Sequence, residues 1–179
     1  MGGPANVATS IAPLPALIEE PFPLATPTYD GSGEAVHPDV LDLPGGWRGQ
    51  RFWFAMTPYA KSSTRLENPS LLVSDDGVTL RVPDGVTNPV VRRPARAADY
   101  NSDPELVHEA STDRLLLVYR LVEKKTNTIR VVSSADGRTW RQERNAFWVH
   151  GHAAVSPTVA AARGTTPATL WYVDAGRGG

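Results

Sequence analysis

Tyr100-Asn101-Ser102-Asp103-Pro104-Glu105-Leu106-Val107 opens the stretch that decides the fold, and that stretch runs on to Trp140. A charged turn at Ser111, Thr112 and Asp113 follows, then an apolar run over 115–119. Residues 126–133 form a third β-rich run, and Ser134-Ala135-Asp136-Gly137-Arg138-Thr139-Trp140 turns into a fourth. Short runs separated by Asp, Gly, Ser and Asn turns read as an antiparallel meander. A unit of about 40–55 residues with four strands is the pattern of a propeller blade.

The unit recurs on either side. Ser74-Asp75-Asp76-Gly77-Val78-Thr79-Leu80 matches the turn at Ser134, and a β-rich run precedes each. His37-Pro38-Asp39-Val40 and Asp103-Pro104-Glu105-Leu106 take the first-strand place, and the runs at 52–55 and 115–118 the second. A third copy begins at Ser156-Pro157-Thr158-Val159 and reaches 169–174. No apolar stripe of helical period exceeds two turns, so the class is all-β. The expectation is a β-propeller of four-stranded blades, with about two and a half blades in this chain. Blade 1 spans about 36–86, a proline-bearing linker 87–99, blade 2 about 100–146, and the start of blade 3 about 150–179. Ahead of them, Pro4, Pro13, Pro15, Pro21, Pro23 and Pro27 remove donors and fix φ, so 1–28 reads as an extended arm. Its Leu14, Leu17, Ile18 and Phe22 are free either to pack on a neighbouring chain or to remain a disordered leader.

Bulk composition narrows the function. The 179 residues carry 18 basic and 19 acidic side chains, so net charge does not indicate a nucleic-acid surface. Arg92-Arg93 with Arg96, and Lys124-Lys125, read as solvated loop charge. With no cysteine, disulfides, thiolate metal sites and cysteine nucleophiles are excluded. No apolar stretch approaches the roughly 20 residues of a spanning helix. The N-terminus lacks a basic region before its apolar segment, so no signal peptide and no membrane insertion are expected. His150-Gly151-His152 could offer two ligands from one strand face, but no third ligand is spaced to join them, and neither metal nor cofactor is expected.

Strand order predicts where the polar side chains meet. In a meander the starts of strands one and three share an edge with the end of strand two. That edge gathers His37, Asp39, Tyr59, Glu67 and Asn68 in the first unit, Asn101, Asp103, Arg120 and Asn127 in the second, and His152, Ser156 and Asp174 in the third. Around a propeller axis they line one mouth of the channel. Carboxylates, amides, an arginine and aromatics suit a sugar, whose hydroxyls need both donors and acceptors. Alternatively, Asp and Asn at strand starts cap their own turns. Ser74, Asp76, Ser134 and Asp136 belong to the repeated turn, with Leu80 or Trp140 packing between blades. Trp47, Trp53, Trp148 and Trp171 read as core or blade-interface residues.

Taken in order, His37-Pro38-Asp39-Val40, the 47–59 segment, Glu67-Asn68-Pro69-Ser70, Asp76-Gly77, Tyr100-Asn101-Ser102-Asp103-Pro104 and Ser134-Ala135-Asp136-Gly137 resemble five-bladed propellers related to family-43 glycoside hydrolases. More closely, they resemble the hydrolase-like propellers of tailed bacteriophages, which are minor tail or virion proteins. The resemblance runs from about Tyr29 to the C-terminus. It implies a carbohydrate partner and a virion or extracellular location. Five blades of about 50 residues need more chain than this one holds, so either the chain is a fragment of a longer propeller or the ring is completed by other chains, virion components or further copies of this one. In the hydrolases an Asp before Pro in the first blade is the general base, a second-blade Asp tunes the acid, and a Glu two before a Pro in the third blade is the acid. Asp103-Pro104 matches the second position. His37-Pro38 stands at the first, with Asp39 two residues on and read as facing the same side. The third position is Val155; Glu67 stands two before Pro69 but begins a third strand. Asp39, Asp103 and Glu67, with Glu105 as a further acid, are thus the catalytic set if the chain is active. His37, Tyr59, Asn68, Asn101, Arg120, His152, Ser156 and Asp174 are the expected substrate contacts. The leading expectation is a virion-borne propeller that binds cell-surface carbohydrate with little turnover. The alternatives are a hydrolase of arabinose- or xylose-type sugars and a purely structural virion component.

Overall fold

The computed structural model describes residues 22–162 and 164–177, so the expected arm lies, as far as residue 21, outside the described residues. Three antiparallel sheets follow one another along the chain. The first is β1 (Ala35–Trp47), β2 (Gln50–Pro58) and β3 (Ser70–Ser74), in that order. Arg81 adds a rudimentary fourth strand by exchanging backbone hydrogen bonds with Val73. The second sheet is the four-stranded meander β4 (Tyr100–Glu109), β5 (Arg114–Glu123), β6 (Thr126–Ser134) and β7 (Arg141–His150). The third pairs β8 (Ala154–Ala160) with β9 (Thr169–Asp174). Among the described residues there is no α-helix, only short 3-10 turns at Ala60–Ser62 and Thr64–Leu66.

The cores lie between sheets, as blades require. β5 reads Arg-Leu-Leu-Leu-Val-Tyr-Arg-Leu-Val-Glu because both of its faces are covered. Leu115, Leu117, Tyr119 and Leu121 pack with Trp47, Trp53, Leu71 and Val73 of the first sheet. Val118, Ile129 and Val131 instead meet Val159 and Leu170 of the third. The result is an all-β partial β-propeller.

The repeated turn is the same device twice. Ser74 Oγ donates to Asp76 Oδ1, and Gly77 N donates back to the serine hydroxyl at 2.9 Å. Ser134, Asp136 and Gly137 repeat both bonds, the latter at 2.8 Å. Each aspartate also accepts the two following backbone N–H groups, which pull the Asp136 carboxyl down to about 2 and Asp76 well below the ordinary value.

The connection from β3 to β4 is stitched down. Asn88 accepts from Leu71 N and donates to Leu71 O, both at 2.9 Å, so a side-chain amide stands in for a strand neighbour. Asn88→Ala is expected to lower stability by about 1–3 kcal/mol, since a part-buried backbone pair loses its partners. Urea denaturation would check this.

Trp47 and Trp53 are buried as expected, but Trp148 and Trp171 are 66% and 54% exposed. Trp148 sits on β7, the outermost strand of its sheet, and Trp171 on β9, which has β8 on one side only. Trp140 does pack against the core between the first two sheets, whereas Leu80 joins Phe54, Met56 and Leu72 on the other face of the first sheet.

At the end of the sheets away from the strand starts, Asp113 ties the first two blades together. It accepts from Trp47 Nε1 at 2.8 Å and Arg48 Nη2 at 2.7 Å, and His108 Nε2 lies 3.2 Å away.

Candidate sugar-binding mouth

One local irregularity, repeated three times, builds the mouth. The inner strands β1, β4 and β8 each break register, between Val36 and Asp39, Ser102 and Glu105, and Val155 and Thr158. At each break the residue before a proline has a positive φ: His37 at 53°, Asp103 at 49° and Ser156 at 50°. The proline has no N–H to leave unpaired, so a bulge is tolerated there. A positive φ in a non-glycine residue costs about 1–3 kcal/mol and persists where the surroundings impose it. The bulge re-aims the side chain, and the three residues line a concavity of ≈ 250 Å³ together with Asp39, Glu105 and Thr158.

The next acidic residue on each of the first two inner strands is tied to the neighbouring blade. Asp39 Oδ2 accepts from Leu106 N at 2.7 Å, and Glu105 Oε1 accepts from Val159 N at 2.7 Å and Thr158 Oγ1 at 3.0 Å. Each carboxylate thus latches its blade onto the backbone of the next, and burial pushes both pKa values up. The sequence reading had Asp39 facing the same side as His37. An extra residue in the strand breaks that two-residue parity.

Three ionisable groups converge instead. His37 Nδ1 lies 3.4 Å from Glu67 Oε2, and Nε2 lies 3.3 Å from Asp103 Oδ1. The histidine side chain is 43% exposed, while the carboxylates are 4% and 6% exposed. Thr57 Oγ1 donates to Glu67 Oε2 at 3.4 Å. Asp103 Oδ2 accepts from Ser156 N at 3.1 Å and faces Arg120 Nη1 at 3.7 Å. Arg120 Nε donates to Asn127 Oδ1 at 2.5 Å, and Asn127 Nδ2 donates to the His152 carbonyl at 3.0 Å. The chain of polar groups therefore crosses all three blades. The Arg120 guanidinium lies 5.9 Å from the centre of the Tyr100 ring, and burial pushes the Tyr100 phenol up.

Other expected contacts have structural roles. Asn101 Nδ2 donates to Asn68 Oδ1 at 2.6 Å and Asn68 Nδ2 to Val91 O at 2.9 Å, with both residues fully buried. Tyr59 is half-buried beside the mouth. His152 Nδ1 lies 3.1 Å from Asp174 Oδ2, whereas the His150 ring meets Thr126 Oγ1, so the two histidines have separate partners. Thr57 and Tyr100 escaped the sequence reading. Both lie at the strand edge that singled out Tyr59, and that edge was the available signal.

The hydrogen bond to Glu67, with help from the Asp103 charge, raises the His37 pKa against the opposing pull of burial. A raised histidine pKa adds stability that is fully present below the unfolded value of about 6.5 and is lost as pH rises through the folded value. His37→Gln is expected to remove this alkaline-side loss. Thermal melts of both proteins across that interval would show wild type falling relative to the variant.

No family model matches the chain. In sequence it is 31% identical over 111 residues to the A type blood N-acetyl-alpha-D-galactosamine deacetylase of Flavonifractor plautii, a match covering 60% of this chain and 14% of that protein. In structure it matches an N-acetylgalactosamine deacetylase from F. plautii in complex with blood group B trisaccharide, with a TM-score of 0.60 and 23% identity, over 82% of this chain and 45% of the other. An exo-beta-1,3-galactanase from Phanerochaete chrysosporium with beta-1,3-galactotriose gives 0.56 and 12%, over 84% and 35%. An exo-beta-1,3-galactanase from Clostridium thermocellum gives 0.52 and 10%, over 84% and 34%. The chain spans less than half the length of these solved structures. Its fold is a partial β-propeller like the folds of these solved structures.

Proposed function

We propose that this chain binds a galactose-type sugar in the mouth formed by His37, Glu67, Asp103, Arg120 and Ser156, and that these residues hold it without cleaving a glycosidic bond. The observation that carries the reading is the position of His37. Inverting hydrolysis needs two carboxyl groups about 6.5–9.5 Å apart with water between them. Here the space between Glu67 and Asp103 is filled by an imidazole ring that meets a carboxylate at each nitrogen. The carboxylates accept hydroxyl protons, Arg120 donates, and the Tyr100 ring offers an apolar edge. The sugars named with the structural neighbours, N-acetylgalactosamine and galactotriose, support the galactose type over a pentose.

The setting belongs to the same proposal: a phage virion or extracellular surface, supported by the ordered motifs that resemble virion propellers. Completion by further propeller-forming chains is supported by an apolar cleft of ≈ 730 Å³ lined by Leu41, Leu43, Leu106, Val159 and Trp171, and by the exposed Tyr172 and Val173 on β9.

The match to a deacetylase favours a second reading, in which the acetamido group of the bound sugar is hydrolysed at this mouth. Water adds to the acetamido carbonyl and the C–N bond breaks to give acetate and the amine; His37, whose pKa Glu67 and Asp103 raise, is the group nearest to hand to return a proton to that amine. Calorimetric titration with galactose, N-acetylgalactosamine and β-1,3-galactobiose, with acetate and reducing ends assayed in the same samples, separates these readings. Saturable binding is expected, weakened about tenfold or more in Asp103→Asn by loss of a charged hydrogen-bond partner. Acetate release would establish the second reading. New reducing ends, or no binding, would overturn the first.

A further inference from the structure

The two nitrogens of the His37 ring meet unequal surroundings. Nδ1 lies 3.4 Å from Glu67 Oε2 and 3.4 Å from Thr57 Oγ1. The Thr57 hydroxyl gives its own proton to Glu67 Oε2, so its oxygen stands as an acceptor beside Nδ1. Nδ1 therefore faces two acceptors, whereas Nε2 faces Asp103 Oδ1 at 3.3 Å. The Asp103 carboxylate is divided as well. Ser156 N donates to Oδ2 at 3.1 Å and Arg120 Nη1 approaches Oδ2 at 3.7 Å. Among the described residues, the polar partner of Oδ1 is His37 Nε2.

The charged groups that act on the ring are Glu67 from the loop before β3, Asp103 from β4 and Arg120 from β5. The phenols of Tyr59 and Tyr100 lie among the same groups, and on β1 itself Asp39 is bonded to Leu106 N. A doubly protonated ring satisfies both carboxylates. A ring with one proton keeps it at Nδ1, where two acceptors wait for it, and turns the Nε2 lone pair toward Asp103 Oδ1. Two acceptors then stand 3.3 Å apart with no proton between them, in the wall of the concavity that His37, Asp103 and Ser156 line. That arrangement calls for a donor from outside, and a sugar hydroxyl is one. In the protonated ring the same place is taken by Nε2–H.

We propose that His37 Nε2 and Asp103 Oδ1 form a hydroxyl subsite that is open when the ring is neutral and closed when it is protonated, so that sugar binding is coupled to loss of a proton from His37. This inference rests on the sugar-binding reading. The step is an exchange of donors. The Nε2 proton leaves to solvent, and the hydroxyl O–H takes over its hydrogen bond to Oδ1. The hydrogen bond to Glu67, with the charge of Asp103, raises the His37 pKa in the free protein against the pull of burial, so the closed form persists above the ordinary value of about 6.5. Reciprocity fixes the sign. A sugar that prefers the neutral ring binds more tightly as pH rises through the folded value, and it lowers that value when bound.

The test follows the ring protons of the full chain by NMR across a pH titration, free and saturated with β-1,3-galactobiose. The His37 signal is identified by its absence from the spectrum of His37→Gln, or by its through-space contact to Thr57 if that variant does not fold. Calorimetric titration of the wild type in two buffers of different ionisation enthalpy counts the protons exchanged on binding. The sugar is expected to lower the His37 midpoint by about one pH unit, which corresponds to about tenfold tighter binding to the neutral ring, the size of one hydrogen bond to a charged group. Protons should be released to the buffer near that midpoint. His108, which faces Asp113 at the opposite end, should keep its midpoint. A His37 midpoint that stays or rises on saturation would overturn the inference while leaving the sugar-binding mouth standing. Binding that is independent of pH and releases no proton would overturn it too. Failure of the sugar to bind at any pH would remove the sugar-binding reading itself, and this inference with it.

Discussion

Replacing Arg120 with leucine is expected to destabilise the protein by about 3–5 kcal/mol, the range for breaking a buried ion pair from one side. Arg120 is 8% exposed, on a strand covered on both faces. Its guanidinium faces Asp103 at 3.7 Å, donates to Asn127 at 2.5 Å and lies over the Tyr100 ring. Without it, Asp103 stays buried with His37 Nε2 and Ser156 N as its remaining partners, and Asn127 Oδ1 loses its donor. The loss belongs to the orphaned partners more than to the attraction itself, so adding Asp103→Leu should return part of it. A double-mutant cycle in urea would measure the coupling. A loss below about 1 kcal/mol would mean that the pair behaves as a surface ion pair, with water screening it.

A second large effect is expected from Gly137→Ala. A Cβ built there falls 2.3 Å from the Trp53 ring, whose burial between the first two blades leaves it nowhere to move. Overpacking of that kind costs about 1–3 kcal/mol, and the left-handed backbone at φ +75° adds about 1–2 kcal/mol for any residue with a Cβ. The twin position separates these causes. Gly77 has φ +80°, but its Cβ would meet Phe52 at an ordinary 3.5 Å. Gly77→Ala should therefore show only the backbone part. Thermal melts of the two variants would check this, and equal losses would contradict the role of Trp53 as a wedge between blades.

The repeat was legible because its turn chemistry is local. Ser, Asp and Gly at fixed spacing make the same bonds at residue 74 and at residue 134, so sequence similarity and structure coincide. The edge that would carry the site was also legible, since it follows from strand order alone. What escaped the sequence was direction. A bulge leaves no reliable mark beyond a proline, and one added residue set Asp39 and Glu105 against the backbone of the next blade as latches. Glu67 looked remote because it precedes an outer strand. The loop at 59–69 folds back and brings its carboxylate to His37. Trp148 and Trp171 are exposed because β7 and β9 each have a strand neighbour on one side only, which strand order shows and side-chain type does not.

The central claim is that the sugar sits at His37, and the ring protons of the four histidines test it most directly. His37 lies in the mouth, His150 and His152 lie at its edge, and His108 lies at the opposite end against Asp113. Titrating β-1,3-galactobiose into the protein while following these signals by NMR should move His37 saturably and leave His108 where it is. A His37 signal that stays still at saturating sugar, or a shift confined to His108, would contradict the account.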